Sequence, residues 1–168
     1  MHPYPEELLP ATMSTLGKAF DFADKHLPEG LASFYELFGC SDVARTFDGP
    51  DAHPDLNGSG IQLVLSVCEG VSSEGLDLML MSERRPDKGH RERAKWCGAL
   101  LAYHQWDTGA TFRAISTYLG IDELFSLFEE RGKEPLPQIS AHIVQTLAIR
   151  TAPTRLRHFR AEAGLTQH

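Results

Sequence analysis

Apolar residues recur three and four positions apart through much of the chain, the spacing that gathers them on one face of an α-helix. Leu16, Phe20, Ala23 and Leu27 form the first such stripe, with Lys18, Asp21, Asp24 and Lys25 outside it. This predicts a helix capped by Ser14 and ended by Pro28. A second short helix from Glu29 aligns Leu31, Phe34, Tyr35 and Phe38 and stops at Gly39. The two are expected to form a hairpin around a phenylalanine-rich seam.

The periodicity is lost between Ser41 and Gly60. Asp48-Gly49-Pro50-Asp51, then Pro54, Asn57, Gly58 and Gly60, make residues 41–60 a long acidic loop dense in turn formers. Over residues 61–83 two patterns compete. Ile61, Leu63, Leu65 and Val67 alternate with other residues, as do Leu76, Leu78 and Leu80, which fits a β-hairpin. Leucine and methionine favour helix, and Ser72 or Ser73 with Glu74 makes a helix start, so two short buried helices are preferred. Either way the segment is core, since so much apolar surface is worth roughly 25 cal/mol per Å² when hidden from water.

Glu83 to Lys95 is polar and largely basic, broken by Pro86 and Gly89, and leads into a central helix. There Trp96, Ala99, Leu100 and Tyr103 share one face, and Cys97, Leu101 and His104 form an adjoining row, until Asp107-Thr108-Gly109 breaks the helix. Three more helices follow, over Thr111–Leu119, over Asp122–Arg131, and after Pro135 and Pro137 with Ile139, Ile143 and Leu147. Thr154 caps a short C-terminal helix and tail over 154–168, bearing Leu156 and Phe159 and closed by Gly164. The chain is thus read as mostly α, a single compact multi-helix domain over 1–168.

Composition narrows the setting. At 168 residues and 42% hydrophobic content, one substantial core is the default. The apolar stretches fall far short of the ~20 residues that cross a bilayer, and residues 1–10 have none of the order of a signal peptide. Cys40, Cys68 and Cys97 are odd in number, widely spaced and set among apolar residues, as free thiols are in a reducing compartment. A cytoplasmic, bacterial protein without disulfides and away from the membrane is expected. Charge is unevenly spread: residues 1–82 carry 3 basic and 13 acidic side chains, a net of −10, whereas 83–168 carry 13 basic and 10 acidic, a net of +3. An acidic half keeps a protein soluble or faces a basic partner, and a sequence does not separate the two.

The stretch Thr111 to Arg131 is similar to a helix-turn-helix. Ile115, Leu119, Gly120 and Ile121 stand where that motif places apolar residues around its turn glycine, which often has positive φ. The resemblance implies DNA binding, but the second helix offers Asp122, Glu123, Glu129 and Glu130 with Leu124, Phe125, Leu127 and Phe128, where DNA readers carry basic or polar side chains. Four carboxylates beside a polyanion are repelled. A helical corner that buries those four apolar residues in the core or against a partner explains them better. Leu156 to Gln167 looks like the opening of a repressor-type DNA-binding domain, and its Arg155, Arg157 and Arg160 form a basic cluster. With Arg84, Arg85, Lys88, Arg91, Arg93 and Lys95, these are the candidate contacts for a partner or for phosphate.

Signals for chemistry are sparse. His104 has Asp107 at i+3 and Cys97 two turns before it, but two turns span about 10.5 Å, too far for a base to activate a thiol directly. A buried histidine held by a carboxylate accounts for the same residues, while Cys97, Tyr103, His104 and Asp107 remain the candidate pocket if there is one. No zinc-ligand spacing and no phosphate loop are present, since Asn57-Gly58-Ser59-Gly60 lacks the lysine and preceding strand, so no cofactor is expected. The sequence favours a non-enzymatic regulatory or accessory protein that binds a macromolecule, another protein or a second copy of itself. A DNA-associated regulator touching phosphate through the basic stretch, and a helical ligand-binding protein or enzyme, are the alternatives.

Overall fold

The computed structural model describes residues 2–27, 30–48, 60–68 and 88–148. Among them every regular element is a helix, in a compact all-α fold. Contacts divide the chain into two compact units, Met1–Lys133 and Glu134–His168.

The first unit opens with a 3-10 turn at Glu6–Leu8 and continues directly into α1, Leu9–His26. Ser14 is therefore interior to this helix rather than its cap. Pro10 in the first turn needs no intrahelical N–H bond, which lets the helix start six residues earlier than the sequence suggests. Lys25 and His26 occupy the last turn, where positive charge complements the helix dipole, and Leu27 leaves in an extended conformation. Gly30 then takes φ 65°, a value costly for any residue with a β-carbon. Pro28 and Glu29, expected to end one helix and begin the next, lie outside the described residues.

Helix α2, Leu31–Gly39, buries Leu31, Phe34, Tyr35 and Phe38 as the stripe predicts. The loop expected after it begins with a short helix, α3, Asp42–Arg45, because the Ser41 hydroxyl accepts the Ala44 N–H at 3.1 Å and caps it. The fully buried Phe47 follows. Helix α4, Gly60–Cys68, gives the first part of the ambiguous segment its helical form, with Leu63, Val64 and Val67 inward. The alternation at Leu76, Leu78 and Leu80 lies outside the described residues.

Helix α5, Lys88–Thr108, is the longest, and α1 packs chiefly along it. The basic stretch does not merely lead into this helix, because Lys88 to Lys95 form its first turns and Gly89 sits within them. It ends at Gly109, with φ 72°. Thr111 caps α6, Phe112–Tyr118, by accepting the Ala114 N–H at 3.0 Å, and α7, Ile121–Arg131, follows after Leu119 and Gly120. In the second unit a helix, α8, covers 136–148, with Ile139, Ser140 and Ile143 buried.

The phenylalanine seam extends beyond the first two helices. Phe20 meets Phe34 edge-on at 5.5 Å between ring centroids, Phe34 stacks on Phe38 at 5.9 Å, and Phe38 and Phe47 reach Phe112 at 4.9 and 5.8 Å. One connected set of rings thus ties α1 and α2 to the start of α6. Each such pair adds roughly 0.5–1.5 kcal/mol beyond the area it buries.

Candidate functional site

The side chains that could do chemistry collect under the corner between α6 and α7. Cys97 and His104, seven apart on α5, point the same way and are fully buried. The His104 Nε2 and the Tyr118 hydroxyl share a hydrogen bond of 2.8 Å. Beside them the Tyr35 hydroxyl donates to the Leu119 carbonyl at 2.6 Å, so α2, α5 and α6 meet through polar side chains. Tyr118 is a partner of the histidine that the sequence did not suggest. Asp107 is exposed and acts on His104 through its charge.

The electrostatics of this cluster have one dominant cause. Burial pushes the Cys97 thiol up to about 12, the Tyr118 hydroxyl up to about 12 and Tyr35 higher still, while it pushes His104 down to about 4. Every group is driven toward its neutral form. A catalytic set has environments that push its members apart, one charged and one neutral near the working pH. Here a neutral imidazole and a neutral thiol are buried in the core and the half-buried Tyr118 phenol covers the imidazole, an arrangement that fixes the α6–α7 corner.

A second polar contact lies one residue on. The fully buried Gln105 donates from Nε2 to the Phe47 carbonyl at 2.7 Å and to Asp48 Oδ1 at 3.2 Å. Asp48 also accepts the backbone N–H of Phe112, and burial raises its pKa. Gln105 thereby ties the segment after α3 to the start of α6.

The surface tells a different story along α5 and α7. Arg93 lays its guanidinium over the Phe125 ring, 3.7 Å from the centroid, and Trp96 meets Phe128 edge-on at 5.5 Å. Of the four apolar residues on α7 only Leu124 is fully buried, whereas Phe125, Leu127 and Phe128 remain half-buried. Gly89, His90 and Arg93 on one side and Phe128 and Glu129 on the other line an open cleft of about 260 Å³. That is below the usual range for drug-sized ligands, roughly 300–1,000 Å³, and suits a side chain or two from a partner.

The other candidates scatter. Arg91 pairs with Asp21 of α1 through two contacts of 3.4 Å, and Lys88 lies 3.9 Å from Glu92. Lys95 is exposed. Arg84, Arg85, Arg155, Arg157 and Arg160 lie outside the described residues. Tyr103 does not join Cys97 and His104. It belongs to a separate aromatic group on another face of α5, where the His2 ring stacks on Trp106 with centroids 3.6 Å apart and planes 7° from parallel. The Trp106 indole N–H donates to the Tyr4 carbonyl at 2.9 Å, and Tyr4, Leu9 and Trp106 form a buried cluster with Met13 and Tyr103 against it. Sequence spacing gave no sign of this group, since His2 and Trp106 are joined only by the fold.

Gly120, the turn glycine of the helix-turn-helix resemblance, has φ −78° and ψ 168°, extended values open to any residue. The exposed residues of α7 are Asp122, Ser126, Glu129 and Glu130. Among the described residues no three histidine, cysteine, aspartate or glutamate side chains gather to hold a metal ion, and no helix is long and apolar enough to cross a membrane. Compared with family models, curated proteins and solved structures, the chain matches none.

Proposed function

We propose that this is a non-enzymatic accessory or regulatory protein that works by binding another protein, through the face where α5 and α7 meet. The observation that carries it is the contrast between Cys97 and His104, fully buried beneath Tyr118, and the half-buried aromatic residues Trp96, Phe125 and Phe128 on the face where Arg93 and Phe128 line the cleft. Aromatic residues and arginine are enriched at protein interfaces and dominate their energetics, because they bury large areas at small cost in side-chain entropy. The cleft edge carries both signs of charge, Arg93 against Glu129, which suits a mixed polar rim.

Duplex DNA is less well supported as the partner. Arg91 is engaged by Asp21, Lys88 lies by Glu92 and Arg93 is stacked on Phe125, while α7 turns carboxylates outward. The test places a photo-crosslinking residue at Phe128, and separately at the exposed Cys40, in the tagged full chain expressed in its native host. A protein partner joined from position 128 and absent from position 40 is expected. Crosslinks to nucleic acid alone, or the same products from both positions, would contradict it.

A further inference from the structure

The two walls of the α5–α7 cleft differ in charge. Gly89, His90 and Arg93 of α5 form one wall, and Phe128 and Glu129 of α7 form the other. Of the cations on the first turns of α5, Arg91 is matched by Asp21 and Lys88 lies by Glu92. Arg93 and Glu129 line the same cleft from opposite sides, yet among the described residues neither is in an ion pair.

Arg93 is also held in place. It is half-buried, and the Phe125 ring, with its centroid 3.7 Å from the guanidinium carbon, fixes the cation on the wall facing the half-buried Phe128. A guanidinium so placed loses little freedom when a carboxylate approaches, and its N–H donors suit a two-pronged contact. Glu129, exposed on the facing wall, is such a carboxylate. Within one chain the two do not pair. Between two chains they meet: a two-fold axis running along the cleft lays the α5 wall of each copy on the α7 wall of the other, which brings Arg93 to the partner subunit's Glu129 twice over and covers Phe128.

We infer that the α5–α7 cleft is the contact surface of a homodimer, in which Arg93 of each chain pairs with Glu129 of the partner subunit around a shared aromatic patch. Opposite charges on the two walls, neither neutralised within its own chain, make the surface complementary to itself, whereas a surface of one sign would repel its copy. The inference rests on the reading of this face as a protein interface and names one occupant, a second copy of the chain, which any further partner has to displace.

Sedimentation velocity of the full chain over a range of concentrations measures the association. A reversible dimer in the micromolar range is expected, as suits a small interface. Arg93→Glu sets carboxylate against carboxylate at both contacts, and Glu129→Arg sets guanidinium against guanidinium. Each variant alone should therefore dimerise at least about tenfold more weakly. An equimolar mixture of the two restores opposite charges at both contacts, so dimers should return in the mixture. If Arg93→Glu loses its helical circular dichroism, Arg93→Gln and Glu129→Gln replace the reversals. Each should then weaken the dimer, and the double variant should be no weaker than either single one. A chain that stays monomeric throughout, a dimer indifferent to the substitutions, or reversals that the mixture does not rescue overturns the inference. Crosslinking from position 128 separates this failure from that of the broader reading. A different protein joined there by a monomeric chain overturns the homodimer and leaves the face an interface, whereas no protein joined there contradicts both.

Discussion

Gly98 lies so close to the main chain of Leu16 that a β-carbon on it would stand 2.4 Å from the Leu16 carbonyl oxygen. Helices α1 and α5 therefore meet backbone to backbone, and neither can give way without moving the other. Gly98→Ala is expected to destabilise the protein by about 3 kcal/mol, the upper part of the range for overpacking. At Gly17 the nearest obstacle is the Lys95 carbonyl at 3.1 Å. Gly17→Ala should be close to neutral, because alanine's gain in helix propensity of about 1 kcal/mol opposes the smaller clash. At Gly120 nothing lies within 4 Å of an added β-carbon, so Gly120→Ser should gain a few tenths of a kcal/mol as a better cap for α7. Urea midpoints of the three variants check this order.

Stability should fall as pH drops from about 6.5 to about 4. His104 is neutral in the folded protein down to about 4, whereas in the unfolded chain it takes a proton near its ordinary value of 6.5. Between those values the unfolded state binds more protons, so acid favours unfolding, with a loss on the order of 2–3 kcal/mol that levels off below pH 4. Subtracting the profile of His104→Gln from that of the unaltered protein isolates this contribution. Parallel profiles would mean that the buried imidazole does not resist protonation.

Gln105→Leu should cost about 1–3 kcal/mol although it nearly conserves volume, because the Phe47 carbonyl loses its donor while still buried. Asp48→Asn should cost less and add little to Gln105→Leu, since the two residues share one contact. A double-mutant cycle in urea measures the coupling.

Much of the helical architecture was legible from apolar spacing alone. The stripes Leu16/Phe20/Ala23 and Leu31/Phe34/Phe38 face inward as read. The start of α1 was misread because Ser14 looks like a cap while Pro10 looks like a breaker, and only the first-turn position makes a proline helix-compatible. The glycines were legible as glycines but not as close approaches. Gly60, read as part of a turn-rich loop, starts α4, where a β-carbon would stand 2.6 Å from the backbone nitrogen of Ala19. Of the proposed pocket, the placing of Cys97 and His104 in one row of the same helix follows from helical geometry. The Tyr118 partner and the His2–Trp106 stack involve long-range contacts that one-dimensional periodicity does not encode.

Thiol reactivity separates surface from core. Cys40 is exposed, whereas Cys68 and Cys97 are buried and burial raises both of their pKa values. An aromatic disulfide reagent at pH 8 should modify Cys40 quickly and the other two only after denaturation, because the thiolate is the attacking species. Rapid modification of Cys97 in the native protein would place an opening beside His104 and revive the case for a reactive pocket.

The most direct measurement compares recovery of a partner from the native host by the tagged full chain and two folded variants. Phe128→Asp alters the α5–α7 cleft, and Tyr118→Phe removes the hydroxyl bonded to His104. The expected result is a partner protein recovered in constant ratio by the unaltered chain and by Tyr118→Phe, and reduced at least about tenfold by Phe128→Asp, as for an aromatic anchor of an interface. Loss with Tyr118→Phe and full recovery with Phe128→Asp would contradict it and move the function into the buried cluster.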